Sequence, residues 1–173
     1  MNKINQTSKQ KVLYNICVIL CIQVCLSVLS AVMEFVLWDG VLKNGDCGVG
    51  FLALGVVFLS IPAVPIVLCL TARKYCVYPD GIRYTLLSAL PVPLLIFLVG
   101  CCFTESHNFR WQGAHYFLNP LVHSGEYIVE MFSYSAEISV KSLAKPALCL
   151  AELIEVAMLM LGMQFGKRES LRR

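Results

Sequence analysis

Two carboxyl groups in the last apolar stretch of this 173-residue chain are its clearest candidates for chemistry. Glu152 and Glu155 are three positions apart, so an α-helix places them on one face. An acid near the centre of a bilayer costs roughly 2.5 kcal/mol or more, so it faces a bundle interior, a cavity or a partner. We therefore expect an intramembrane polar site at these residues. It would bind a proton or a cation, or bond to a polar group such as Gln23, Ser60 or Ser88.

Nine cysteines raise the question of redox chemistry. A disulfide between Cys47 and either Cys101 or Cys102 would form if their compartment is oxidising. The chain has no C-x-x-C motif, and no set of metal ligands on facing helices is evident, so we predict no metal site. Three further cysteines recur at steps of four and predict a stripe of small side chains suited to helix packing. This stripe consists of Cys17, Cys21 and Cys25.

Signatures of catalysis are missing from the sequence. There is no Gly-x-Ser-x-Gly, no His-Glu-x-x-His, no phosphate-binding loop and no paired-aspartate motif of alcohol-phosphatide transferases. The three histidines are eight residues apart in one loop, a spacing more typical of solvated side chains than of a metal centre. We predict a protein without catalytic residues or cofactor.

The composition indicates a membrane protein. The chain is 58% hydrophobic and 14% charged, whereas soluble domains have about 45–50% apolar and about 25% charged residues. The same composition excludes a disordered chain. A net charge of +3, without an arginine-rich helix, argues against a nucleic-acid partner.

Four apolar stretches are long enough to span a bilayer, which takes about 20 helical residues. They lack Lys and Arg, whereas helices of a soluble bundle would be shorter and would show a polar stripe. We therefore predict one all-α integral membrane domain, residues 1–173, with four transmembrane helices. The predicted spans are 12–38, 49–70, 84–103 and 146–165.

The distribution of basic residues predicts the orientation. Ten of the fourteen Lys and Arg residues fall on the side of the two termini and the loop between spans two and three. Cytoplasmic segments carry such an excess, so both termini should be cytoplasmic. The short connections then favour an up-down-up-down bundle with outer loops 39–48 and 104–145.

The second outer loop is predicted to contain an amphipathic helix. Polar residues recur there at steps of three and four, with apolar residues on the other sides. This acidic face either meets a partner or is simply solvated. Its polar members include His123, Glu126, Glu130 and Glu137.

Prolines inside two of the spans predict kinked helices, because proline removes a backbone hydrogen bond and crowds the preceding turn. Such kinks either serve packing or line a ligand cavity. These residues are Pro62, Pro65, Pro91 and Pro93.

In its build the chain resembles small four-span proteins that protect bacterial cells, namely immunity proteins against pore-forming bacteriocins and the exclusion proteins of conjugative plasmids. The likeness predicts a non-enzymatic protein of the bacterial inner membrane. It would contact a second membrane protein through Glu152, Glu155 and the loop helix, with lipid and another copy as further partners. One alternative is a small proton- or cation-coupled transporter that uses the two glutamates. Another is a four-helix membrane thiol oxidase, which the chain resembles in length and topology.

Overall fold

The computed structural model describes residues 7–40, 47–79, 81–105 and 140–170. Within these ranges the regular secondary structure is all α-helical, without strands. The helices are α1 (Ser8–Gly40), α2 (Cys47–Tyr75), α3 (Ile82–Ala89), α4 (Pro91–Glu105) and α5 (Val140–Ser170). The predicted loop helix and its face of His123, Glu126, Glu130 and Glu137 lie outside the described residues.

Three helical segments are long and apolar enough to cross a membrane, which indicates a helical membrane protein. They are Ser8–Leu29, Ile82–Val99 and Cys149–Lys167. The helices extend beyond the predicted spans: α1, α2 and α5 all begin earlier and end later than expected.

The prolines have different consequences in the two helical segments that contain them. α2 continues as one helix through Pro62 and Pro65. The segment that forms the third predicted span is instead divided at Leu90, directly before Pro91. Leu90 itself keeps helical angles and donates to the carbonyl oxygen of Leu86 at 2.9 Å. The helix is therefore interrupted only next to Pro91, which has no backbone N–H to donate.

Polar and apolar residues are distributed in the reverse of a soluble protein. Large apolar side chains cover the outside, among them Leu59 at 70% exposure and Leu13 at 64%. Among the side chains that the structure describes, the interior combines aliphatic ones with seven buried polar ones. Because lipid accepts an apolar surface and water does not, this arrangement suits a bilayer. The buried polar residues are Asn15, Gln23, Ser27, Thr85, Ser88, Glu152 and Glu155.

α5 is the central packing element. It packs along α2 and also contacts α4 and α3, while α1 packs mainly on α3. Gly162 and Gly166 allow α5 to approach the backbone of α2 closely. A Cβ at Gly162 would collide with the carbonyl oxygen of Cys69 and lie 2.8 Å from Cβ of Ala72. One at Gly166 would lie 2.8 Å from the carbonyl oxygen of Arg73. This is the close approach that small residues four apart permit in membrane helices.

Replacing Gly162 with alanine should therefore destabilise the bundle. The added methyl group must displace α2 backbone, and overpacking of this kind costs about 1–3 kcal/mol. The free energy of unfolding, measured in detergent with a chemical denaturant, checks the effect. The matched control is Gly55→Ala in α2, because a Cβ there meets no atom within 4 Å. Equal stability of the two variants would contradict the close contact.

Candidate functional site

The buried faces of α1 and α5 share one spacing. Every fourth residue is buried along each face, so each forms one continuous ridge. The two ridges are joined by hydrogen bonds at two levels, eight residues apart on each helix and in opposite chain order. α1 and α5 therefore run antiparallel, with the two levels about 12 Å apart. The ridge residues are Asn15, Ile19, Gln23 and Ser27 on α1, and Ala151, Glu155, Leu159 and Met163 on α5.

Asn15 forms the first level and is fully buried. Its Nδ2 donates to the carbonyl oxygen of Val77 at 2.7 Å, and its Oδ1 accepts from the Val77 backbone N–H at 2.8 Å. Val77 follows the end of α2, where the backbone no longer has helical partners, so the amide takes their place. Nδ2 also lies 3.4 Å from Ser88 Oγ and 3.6 Å from Met163 Sδ. One side chain thus joins α1, the end of α2, α3 and α5.

Gln23 and Glu155 form the second level. Gln23 Nε2 donates to Glu155 Oε2 at 2.6 Å, and the two side chains are 3% and 0% exposed. Gln23 Oε1 is buried too, and within the described ranges it receives no hydrogen bond. Glu152, nearly one turn from Glu155 on α5, is 5% exposed. We call Gln23, Glu152 and Glu155 the central polar layer.

The structure places both predicted glutamates in the bundle interior. One of their three expected partners, Gln23, bonds to Glu155, whereas Ser88 lies near Asn15 instead. Because Glu155 is wholly covered by its own chain, it presents no surface to a partner in this conformation. Sequence reasoning did not single out Asn15, although its spacing of eight from Gln23 along an apolar helix was a usable signal.

The three cysteines of α1, predicted to form a stripe suited to helix packing, do not pack against the other described helices. Cys17, Cys21 and Cys25 are exposed on the outer surface of α1. Each lies two positions after a ridge residue, and two positions rotate about 200° around a helix. The cysteines therefore face away from the bundle. The predicted disulfide is not tested, because the side chains of Cys47, Cys101 and Cys102 lie outside the described part of the molecule.

An apolar groove of about 220 Å³ lies between α1 and α4, beside the central polar layer. Its α1 wall runs from Leu20 to Val28 and includes Gln23, and its α4 wall runs from Val92 to Val99. Nearly all of its lining is apolar, so it suits a hydrocarbon chain more than a polar substrate. Across the described ranges, no cluster of three or more His, Cys, Asp or Glu side chains could hold a metal ion.

The end of the bundle near Asn15 is basic and aromatic. Lys167 Nζ lies 4.4 Å from the centre of the Tyr78 ring, and Lys74 Nζ lies 5.2 Å from that of Tyr75. Both distances are within the range of cation–π attraction. Nearby, burial raises the pKa of the Cys76 thiol from 9.0 to about 12.

No protein family, curated protein sequence or solved structure matches this chain. Its function is therefore argued from the described residues themselves. Their main features are two levels of interior hydrogen bonds, an apolar outer surface and one basic end.

Asn15→Leu should destabilise the protein. The change removes both hydrogen bonds to Val77 and should cost about 1–3 kcal/mol, because buried backbone groups lose their partners. Unfolding in detergent measures the loss. Cys17→Ala, two positions along α1 and on its exposed face, is the control and should change little. If Asn15→Leu is as stable as this control, the side chain does not hold the helices together.

Cys76 should resist alkylation in the native protein. A pKa of about 12 lowers the thiolate fraction at pH 8 roughly a thousandfold relative to a pKa of 9.0, and thiolate is the reactive form. The test is the rate of iodoacetamide labelling in a variant that keeps only this cysteine, with and without denaturant. The native rate should continue to rise with pH above 9. Equal native and denatured rates at pH 8 would contradict the burial.

Proposed function

We propose that this chain is a non-enzymatic four-span membrane protein that acts by contact with another membrane protein. The contact would be of the kind made by bacteriocin-immunity proteins or by the exclusion proteins of conjugative plasmids. The observation that carries the proposal is the inward placement of polar groups. Asn15, Gln23 and Glu155 bond within the chain, whereas the outer surface described is largely apolar. An apolar surface of this type contacts lipid or another transmembrane helix.

The interior bonds also support an up-down-up-down bundle. Asn15 joins the first turns of α1 to the segment after α2, and it lies near Ser88 of α3 and Met163 towards the end of α5. One end of the bundle thus holds two helix beginnings and two helix ends. The same end carries exposed basic residues at Arg73, Lys74, Arg83 and Lys167.

That basic end is proposed to be cytoplasmic, because Lys and Arg are retained on that side of the membrane. The proposed location is the bacterial inner membrane. Residues 104–145 would then face outward and supply the partner-binding face, in place of the glutamates that the bundle covers. Other copies of the chain and lipid are proposed as further neighbours.

A small proton- or cation-coupled carrier is the second candidate. Glu155 lies in the interior within reach of Gln23, and an apolar groove adjoins that position. Buried acids in spans are often part of proton relays, so this arrangement favours a carrier over the thiol oxidase. The six cysteines described are all free.

Protection assays distinguish the proposed contact mechanism from the alternative of a proton- or cation-coupled carrier. Cells producing the chain should survive a pore-forming bacteriocin, or resist plasmid transfer, at least about tenfold better than controls. A panel of bacteriocins and conjugative plasmids supplies the challenges. Reversing the charges of Glu126, Glu130 and Glu137 to Lys should abolish protection. Replacing all nine cysteines with alanine should preserve it.

The matched control reverses Asp39 and Asp46 in the shorter outer loop, which changes outer charge without altering the proposed partner face. Glu155→Gln should leave protection intact if contact is the mechanism. Absence of protection throughout the panel, together with proton-coupled uptake that Glu155→Gln abolishes, would overturn the proposal in favour of a carrier.

A further inference from the structure

Among the described residues, three buried oxygens of the central polar layer accept no hydrogen bond, namely Gln23 Oε1, Glu152 Oε2 and Glu155 Oε1. The amide of Gln23 uses Nε2 to donate to Glu155 Oε2 at 2.6 Å. Its carbonyl oxygen, Oε1, is covered by the bundle and accepts nothing from any residue described. A buried acceptor left without a donor costs about 1–3 kcal/mol. One added hydrogen between Gln23 Oε1 and Glu155 Oε1 would engage two of these three oxygens.

A carboxyl group is the natural source of that hydrogen. An ionised carboxylate has only acceptors, whereas a protonated carboxyl has one O–H donor and one acceptor oxygen. A primary amide likewise presents an N–H and an oxygen along one edge. With Nε2 bonded to Oε2 of Glu155, a coplanar arrangement of the two groups would bring Gln23 Oε1 and Glu155 Oε1 to one facing edge. A proton on Glu155 Oε1 would complete a reciprocal pair.

The charges around the layer favour this form. Along α1 the last basic residue before the end of the helix is Lys11, and α2 has none before Arg73. α3 has only Arg83, α4 has none, and α5 has none between Lys145 and Lys167. Along their own helices these groups lie towards the ends, and Lys145 is about two turns before Glu152. The other buried acid on the same face is Glu152.

The cysteines in these helices do not supply the missing donor. Cys17, Cys21 and Cys25 face outward from α1, and Cys149 is exposed on α5. Cys69 of α2 packs beside Gly162, nearly two turns along α5 from the layer.

We propose that the central polar layer is a proton-binding site. Glu155 takes up one proton from bulk water, and its Oε1–H donates to Gln23 Oε1, while Gln23 Nε2 donates to Glu155 Oε2. Only the carboxyl O–H bond is formed, and no redox partner is needed. The bound proton replaces a carboxylate charge by a second hydrogen bond between α1 and α5. This inference is independent of the proposed contact function.

Infrared spectroscopy of the full-length protein in liposomes at pH 7 tests the site. Protein labelled with ¹³C at the glutamate carboxyls should show a protonated-carboxyl C=O band that shifts with the label and in D₂O. Glu155→Gln should remove the band, whereas Glu152→Gln, the matched control on the same face, should keep it. Gln23→Met should move the band to higher frequency, because the carbonyl loses the hydrogen bond from Nε2.

Three results would overturn the proposal. One is a wild-type spectrum with only carboxylate bands for the buried acids. Another is a C=O band that disappears in Glu152→Gln and persists in Glu155→Gln. The third is a Glu155 carboxylate band that responds to added Na⁺, which would make the layer a cation site. If Glu155→Gln does not fold, the labelled wild type and Gln23→Met still decide the outcome. Neither measurement depends on a protection assay, so the two proposals fail separately.

Discussion

Polar groups inside an apolar bundle must find partners within the bundle, and this requirement governs the arrangement of the described helices. Water cannot reach such groups at low cost, so each one constrains the position of a neighbouring segment. Asn15 meets the requirement by bonding both backbone groups of Val77. Gln23 meets it in part by donating to Glu155. Together these contacts position α1 against the segment after α2 and against α5.

The aliphatic contacts provide less information about register. Ile19 and Leu159 lie between the two hydrogen-bonded levels and are each 1% exposed. Dispersion forces between such side chains are nearly insensitive to a small sliding of one helix along another, and lipid tails compete for the same contacts. Hydrogen bonds are sensitive to both distance and angle. In such a bundle the aliphatic contacts stabilise the packing of the helices, and the hydrogen bonds determine their register.

The contact between α2 and α5 follows a different principle. There, Gly162 and Gly166 remove side-chain bulk so that one backbone can approach another. The glycines could be read from the sequence, as could the absence of charge in the spans. The helix that packs against these glycines could not be predicted from the sequence, because every apolar helix offers a groove to a pair of small residues. The same ambiguity applies to the α1 cysteines, because their spacing predicted a helix-packing stripe and only the structure shows that this stripe faces outward.

Amino-acid order alone determined that the chain is helical and suited to a membrane, because hydropathy and helix length are local properties. It also located Glu152 and Glu155 on one face of the last helix and indicated that they needed a partner. Tertiary structure alone decided that Gln23 is that partner for Glu155, and that Asn15 closes the end of the bundle at Val77. The physical reason is that hydrogen bonds between helices depend on rotation and translation of whole segments. Local sequence patterns determine neither the rotation nor the translation of one helix relative to another.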